Sequence, residues 1–155
     1  MSISSPAPEP SLAIVEGNDA AVTHAEVFSG LRAFNRQHAA PPNRAPLVVA
    51  AKGDDGRLVA GLVGETAWGW LFVDLLWVDE AHRRRGLGRR VLRFAESEAR
   101  LRHCVGSYLD TFDFQARPFY EREGYAVFGT LEDYPVGHRR FFLQKKFIDD
   151  GHDMA

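Results

Sequence analysis

The sequence predicts an α/β protein with one mixed, twisted sheet and helices on both of its faces. A long apolar, β-branched and aromatic run from Leu71 to Val78 is typical of a buried strand, and an amphipathic helix follows it after two glycines. A Gly-Asp-Asp-Gly turn at 53–56 joins two further strand patterns as a hairpin. The other strand and helix patterns alternate, so the predicted order is β-α-β-β-β-α-β-α-β-β.

Length and composition predict one globular domain, here 11–148. The chain has 155 residues, of which 45% are hydrophobic and 26% charged. A disordered leader is expected at 1–10 and a frayed tail at 149–155. The net charge of -2 argues against a nucleic-acid partner. No apolar run has membrane-spanning length, so no membrane partner is expected and a cytoplasmic location follows by default. The sequence leaves the oligomeric state open, and a homodimer is one of the alternatives.

Each element has its own local signal. Gly17-Asn18-Asp19 starts the first helix and Pro41-Pro42 follows its end. Asp113 is expected to cap the third helix, and Gly124 to end it as the C′ residue. The single cysteine, Cys104, is expected to be a buried small hydrophobe. The predicted strands are 11–16, 47–52, 57–65, 71–78, 106–111, 125–131 and 139–147. The first predicted helix follows the turn at 17–19 and runs to about 38, the second covers 86–103, and the third starts near 114.

The turn from Arg83 to Gly88 carries the clearest chemical signal. A strand, a turn and a helix start together aim free backbone N–H groups at one point, and the positive end of the helix dipole favours phosphate there. Arginines on both sides of the glycines supply charge for a polyanion. The turn is not a dinucleotide fingerprint, because Val91 replaces the third glycine, and no Gly-Lys-Ser/Thr of a Walker loop follows.

Two motifs in order resemble the GNAT superfamily of N-acetyltransferases over about 46–147. Arg83-Arg84-Arg85-Gly86-Leu87-Gly88 resembles its Q/R-x-x-G-x-G/A acyl-CoA signature, and 116–125 resembles its A-x-x-F-Y-E-x-x-G-F/Y segment. The resemblance implies a GNAT-like fold whose fourth and fifth strands splay, with the acyl-CoA arm in the gap. Many members carry Asn where this chain has Asp113, which puts that pantetheine contact in doubt. The cofactor-binding residues that follow are Leu76, Trp77, Val78, Arg83, Arg84, Arg85, Gly86, Leu87, Gly88, Arg89, Asp113 and Phe119.

The resemblance implies an acetyl-CoA-dependent N-acetyltransferase that transfers the acetyl group directly to an amine. Tyr120 matches the tyrosine that commonly faces the CoA sulfur and would protonate the leaving thiolate; its alternative role is a core tyrosine bonded to a carbonyl. Asp74 is the first candidate for the base, with the alternative that it packs on the solvent side or bonds a neighbouring loop. Asp110, Asp113 and His138 are weaker candidates. No His/Cys cluster has metal-ligand spacing, so no metal is expected.

The acceptor is the least determined part. Trp70, Phe72 and Asp74 alternate on one strand and should share a face, and the loop 132–134 adds carboxylates. Such a pocket favours a small cationic amine. Two rival functions remain open: a non-catalytic acyl-CoA-binding module of the same fold, and an anion- or RNA-binding domain that uses the arginine cluster.

Overall fold

The computed structural model describes residues 9–147, so most of the predicted leader and the tail at 149–155 lie outside the described residues. These residues divide between two compact units, one ending at Pro41 and the other beginning at Pro42. The helices and strands are α1 (Gly17–Asn35), β1 (Ala45–Lys52), β2 (Leu58–Ala67), β3 (Trp70–Val78), α2 (Leu87–Leu101), β4 (Gly106–Phe112), α3 (Arg117–Arg122), β5 (Ala126–Glu132) and β6 (Arg139–Lys146), with a 3₁₀ turn at Glu80–His82.

The first unit contains α1 and the segment before it. The strand predicted at 11–16 is wrong, because these residues pair with no other strand in the described chain. Leu12 and Ile14 are almost fully exposed. An alternation of apolar residues favours a strand only where another strand supplies the ladder hydrogen bonds. The predicted helix is confirmed, although no residue of α1 is buried.

The second unit is built on a six-stranded mixed sheet in the order β1-β2-β3-β4-β6-β5. The β3–β4 pair is parallel and the other neighbours are antiparallel. The predicted hairpin is confirmed, since Gly53 and Gly56 close the β1–β2 connection with Gly56 at positive φ. The mixed α/β class is therefore confirmed, with six strands among the described residues instead of seven.

The core lies between α2 and one face of the sheet. The predicted apolar face of α2 is confirmed, with Val91, Leu92, Ala95 and Ala99 buried, and Cys104 is buried as predicted. Facing them from β2, β3, β4 and β6 are Leu62, Leu71, Val73, Leu109 and Leu143. Burying side chains of this kind stabilises the fold by about 1.5–3 kcal/mol each. This burial fixes which face of α2 is turned toward the sheet.

A β-bulge at Asp74 shapes the centre of the sheet. Val63 pairs with Leu75 while Gly64 pairs with Val73, so Asp74 is the extra residue of β3. Gly64 is required there, because a Cβ would come 2.3 Å from the carbonyl oxygen of Phe72. A bulge bends its strand and increases the local twist. It therefore changes the direction of the second half of β3, which is the part that does not pair with β4.

The parting of β3 from β4 is visible in their register. The parallel pairs run from Trp70 with Gly106 to Val73 with Leu109 and stop at the bulge. Beyond that point β3 continues to Val78 and β4 to Phe112 without pairing to each other. Two neighbouring strands that separate leave backbone groups of both facing a gap. The splay that the resemblance implied is thus present between these two strands.

Helix α3 begins later than predicted, and its predicted cap is wrong. The helix starts at Arg117 after Ala116, whose N–H lies 3.5 Å from the Thr111 hydroxyl. Asp113 does not cap it: its carboxylate accepts a bond from the Arg139 N–H and lies 3.0 Å from the His138 ring nitrogen. A carboxylate can cap only where the chain brings it to the helix start, and 113–116 form a turn instead.

None of the helices within residues 9–147 is long and apolar enough to cross a membrane.

Candidate functional site

A cleft of about 660 Å³ opens where β3 and β4 part. The second half of β3 forms one wall, the turn before α2 closes one end, and α3 forms the opposite wall. None of the described residues that line it is Asp or Glu, whereas four are arginines. The lining residues are Leu76, Trp77, Val78, His82, Arg83, Arg84, Gly86, Leu87, Gly88, Arg89, Gln115, Ala116, Phe119, Tyr120 and Arg122.

The turn before α2 has the backbone of an anion seat. Arg84 has φ +61° and Gly86 has φ +73°, both in the left-handed region. These two positive φ values turn the chain sharply just before the helix. Gly86 is also the N-cap of α2. The N–H groups of the first helical turn have no intrahelical acceptor and point at the same place.

Gly88, the residue after Leu87, lies between the two walls of the cleft. A Cβ built on Gly88 would lie 3.4 Å from a methyl carbon of Val78 and 3.7 Å from the ring of Phe119. Both distances are ordinary van der Waals contacts, so the start of α2 packs between β3 and α3. Arg83 donates from Nε to the Val78 carbonyl at 3.0 Å and so ties the turn to the strand that leads into it. The cleft is therefore narrow and basic at this end.

Ten of the twelve predicted cofactor residues line this cleft. Arg85 and Asp113 do not; Asp113 is engaged with His138 and Arg139 instead. Sequence reasoning missed His82, Gln115, Ala116 and Arg122. A signal existed for each, because all four lie within or beside the two motifs. The side chain of Gln115 lies 3.1 Å from the Thr111 hydroxyl and accepts from the Phe112 N–H, which holds the turn before α3 in place.

Tyr120 lies at the inner end of the cleft. Its side chain is buried against the rings of Phe119 and Tyr125, and it is a lining residue of the cavity. Among residues 9–147 no carbonyl or side chain bonds its hydroxyl. Burial, with the negative charge of Asp110 adding to it, raises the pKa of Tyr120 to about 12. The hydroxyl is therefore protonated at neutral pH and able to donate into the cleft.

Asp74 projects from the sheet face opposite α2. Leu71 and Val73 are buried on the core side while Phe72 and Asp74 point the other way, and the bulge leaves Leu75 exposed beside them. A second cavity of about 340 Å³ is lined by both Phe72 and Asp74, with the ion pair Arg44–Glu65 at its edge. Asp74 therefore lies on the same sheet face as Phe72, as predicted, because the bulge interrupts the alternation only at Asp74 itself.

The three weaker candidate bases already have charged or ring partners. Asp110 accepts a bond from Arg140 Nε at 2.7 Å, and this bond raises the pKa of Arg140. The His138 ring packs on Phe114 and lies beside the carboxylate of Asp113. A carboxylate that bonds an arginine is a weaker base, because taking up a proton would break that bond. Asp74, by contrast, is exposed and lines the second cavity.

The comparisons with known proteins agree on one family. Residues 15–125 match the acetyltransferase (GNAT) family. A blasticidin-S acetyltransferase of Streptomyces morookaense is 47% identical over 97 residues, which cover 62% of this chain and 71% of that protein. An acetyltransferase of Agrobacterium fabrum is 38% identical over 130 residues, covering 81% and 95%. A crystal structure of an acetyltransferase from Bacillus cereus superposes with a TM-score of 0.80 at 28% identity, covering 88% of this chain and 98% of that one.

Proposed function

Because the chain belongs to the GNAT family of acetyltransferases and is an acetyl-CoA-dependent N-acetyltransferase, we propose that it transfers the acetyl group directly to a small cationic amine. The observation that carries this proposal is the cleft between the second half of β3 and α3. It has a basic anion seat at one end and a protonated tyrosine hydroxyl at the other. This is the layout that a long thioester with a pyrophosphate needs.

In the proposed binding mode, the turn 84–88 and the arginines around it hold the pyrophosphate. The pantetheine arm lies along Leu76–Val78, where β3 has lost β4 as a partner and its backbone groups are exposed to the gap. Amide groups of the arm can then bond this edge as a neighbouring strand would. The thioester reaches Tyr120 between the walls formed by β3 and α3.

In the proposed reaction, the lone pair of the amine nitrogen attacks the thioester carbonyl carbon. The tetrahedral adduct collapses, its C–S bond breaks, and the electron pair leaves with sulfur. Tyr120 donates its proton to the thiolate as it departs and regains one from water. The amine loses a proton to Asp74, directly or through water, and the products are the N-acetyl compound and the free thiol. Placing the two reactants side by side supplies much of the acceleration.

The preference for a cationic acceptor rests on the charges around Asp74. In the 340 Å³ cavity Arg44 neutralises Glu65, which leaves the carboxylate of Asp74 as the unbalanced charge. Phe72 supplies an aromatic wall that continues to Tyr108, whose ring stacks on it at 5.0 Å. A carboxylate attracts an ammonium group and repels a second carboxylate. The loop 132–134 gives less support, since the Asp133 carboxylate accepts the N–H of Gly137 in its own turn.

A panel of amines tests the proposal. The panel should hold polyamines, an aminoglycoside, acidic amino acids and blasticidin S, the compound in the name of the relative from S. morookaense, each incubated with acetyl-CoA while thiol release is followed. We expect turnover with cationic amines only. Acetyl-CoA binding without turnover on any amine would favour the non-catalytic binding module, and a preference for acidic amines would refute the cationic acceptor.

A further inference from the structure

A buried carboxylate at the end of α3 holds two arginines of α2. Glu123 has a side chain only 2% exposed, and it accepts from Arg89 Nε at 2.8 Å and from Arg93 Nε at 2.9 Å. Burial alone would raise the pKa of Glu123, but the bonds from Arg93 and Arg89 outweigh it, so that its pKa lies below the ordinary value. The carboxylate is therefore ionised at neutral pH.

The charges of this cluster do not balance within it. Arg89 and Arg93 are four residues apart on α2, where like charges face each other and repel. One carboxylate compensates one of them, which leaves a surplus positive charge. Both arginine side chains remain more than half exposed, at 53% and 61%. An ion pair that served only to join α3 to α2 would need a single arginine.

The bonding geometry leaves the terminal nitrogens of both guanidinium groups available for another acceptor. Both bonds to Glu123 use Nε, so the terminal Nη donors of each guanidinium remain for another acceptor. Arg89 lines the cleft, as does Arg122 from α3. Two guanidinium groups fixed by one carboxylate form a preorganised fork, and arginine forks match the geometry of phosphate oxygens.

We propose that Arg89 and Arg93, oriented by Glu123, form a subsite for the 3′-phosphate of the acyl-CoA nucleotide. This inference rests on the proposed function. If the pyrophosphate sits at 84–88 and the thioester at Tyr120, the nucleotide lies on the far side of the pyrophosphate from Tyr120, and Arg89 lines the cleft directly after that turn. The 3′-phosphate is a monoester with a charge near −2 at pH 7, so it is the part of the ligand that gains most from two exposed cations. Glu123 is a positioning residue in this scheme, because it acts through the arginines.

The test compares acetyl-CoA with acetyl-3′-dephospho-CoA, which differ in this phosphate alone. Calorimetry at fixed salt measures both dissociation constants without an acceptor. Wild type should bind acetyl-CoA about 10- to 100-fold more tightly, the usual effect of charge-assisted hydrogen bonds. Arg93→Gln, a change at an exposed side chain, should reduce that ratio to about threefold or less. Glu123→Gln should also lower it, because the amide no longer fixes the arginines by charge.

Two matched controls separate this effect from net charge and from helix stability. Glu98→Gln removes a carboxylate that pairs with Arg102 at the far end of α2, and Arg57→Gln removes an exposed arginine in the β1–β2 connection. Both should keep the wild-type ratio. The ratio is informative because a purely structural role would change the affinity for both ligands equally.

Equal affinity of wild type for the two ligands would overturn the subsite and leave the proposed function intact. No binding of either ligand would overturn both. A ratio that rises in Glu123→Gln would mean that the carboxylate competes with the phosphate, and it would refute the positioning role. If Glu123→Gln does not fold, an unchanged ratio in Arg93→Gln still refutes the subsite.

Discussion

Tyr120→Phe separates the proposed catalytic role of this residue from a structural one. The substitution keeps the ring, whose centroid lies 5.1 Å from that of Phe119 and 5.9 Å from that of Tyr125, and removes only the hydroxyl. That hydroxyl bonds no group among residues 9–147 and borders the cleft. The free energy of unfolding should therefore change by less than about 1 kcal/mol.

Turnover should fall far more than stability. A positioned general acid contributes about 10²- to 10⁴-fold to a rate, which corresponds to roughly 2.7–5.5 kcal/mol in the transition state. Thiol release under saturating acetyl-CoA and acceptor measures this loss, and calorimetry should give an unchanged affinity for acetyl-CoA. Chemical unfolding of both proteins supplies the stability comparison.

The raised pKa adds a second readout. With a pKa of about 12 against an ordinary value near 10, the Tyr120 hydroxyl ionises less readily in the folded than in the unfolded chain. Its titration therefore leaves stability unchanged below pH 10 and lowers stability as the pH rises from 10 through 12. Wild type should lose stability over this interval more steeply than Tyr120→Phe, and a difference titration in the ultraviolet should find a phenol near 12. Wild-type turnover in the variant under chemistry-limited conditions would refute the reasoning, as would a stability loss of several kcal/mol.

Three further outcomes are expected. Gly86→Val forces a β-branched residue to φ +73° and should weaken acetyl-CoA binding in calorimetry while circular dichroism shows the helix retained; unchanged affinity would contradict the anion seat. Asp74→Asn should lower turnover of cationic amines about tenfold or more, with Asp54→Asn in the hairpin as the control, and an identical substrate profile would exclude Asp74 from the acceptor site. Because the pKa of Glu123 is lowered from 4.5, Glu123→Gln should be about 1–3 kcal/mol less stable at pH 7, and the deficit should shrink as unfolding is measured below pH 4.5; a deficit independent of pH would contradict this.

The proposed phosphate-binding end of the cleft was predictable because its determinants are local. A helix with an apolar stripe at helical spacing, a glycine at a left-handed φ and a preceding apolar strand each act through neighbouring residues. Gly86 and the buried face of α2 occur where the sequence places them. The arginines follow from their position in the same turn. The pairing of Arg89 with Glu123 was not predictable, since it joins residues 34 positions apart.

Elements that depend on a partner were predicted less well. The segment 11–16 has the alternation of a strand but no neighbour within the described residues, so the pattern alone was misleading. Asp113 has the residue type and spacing of an N-cap, yet the turn at 113–116 delays the start of α3. Its carboxylate instead accepts a hydrogen bond from the backbone N–H of Arg139, the first residue of β6. A competing long-range partner outweighed a local preference in this case.

The acceptor side combines both kinds of information. Alternation placed Asp74 on the same face as Phe72, and it could do so only because the bulge adds its extra residue at Asp74 and not before it. The bulge itself had a weak signal in Gly64, the residue whose missing Cβ admits the Phe72 carbonyl. The pairing of β3 with β4 ends at the same bulge, and the part of β3 beyond it lines the cleft proposed for the thioester. One backbone irregularity therefore sets both the direction of the proposed base and the gap for the acyl donor, which is why a small change near Gly64 should affect acceptor choice and acetyl-CoA binding together.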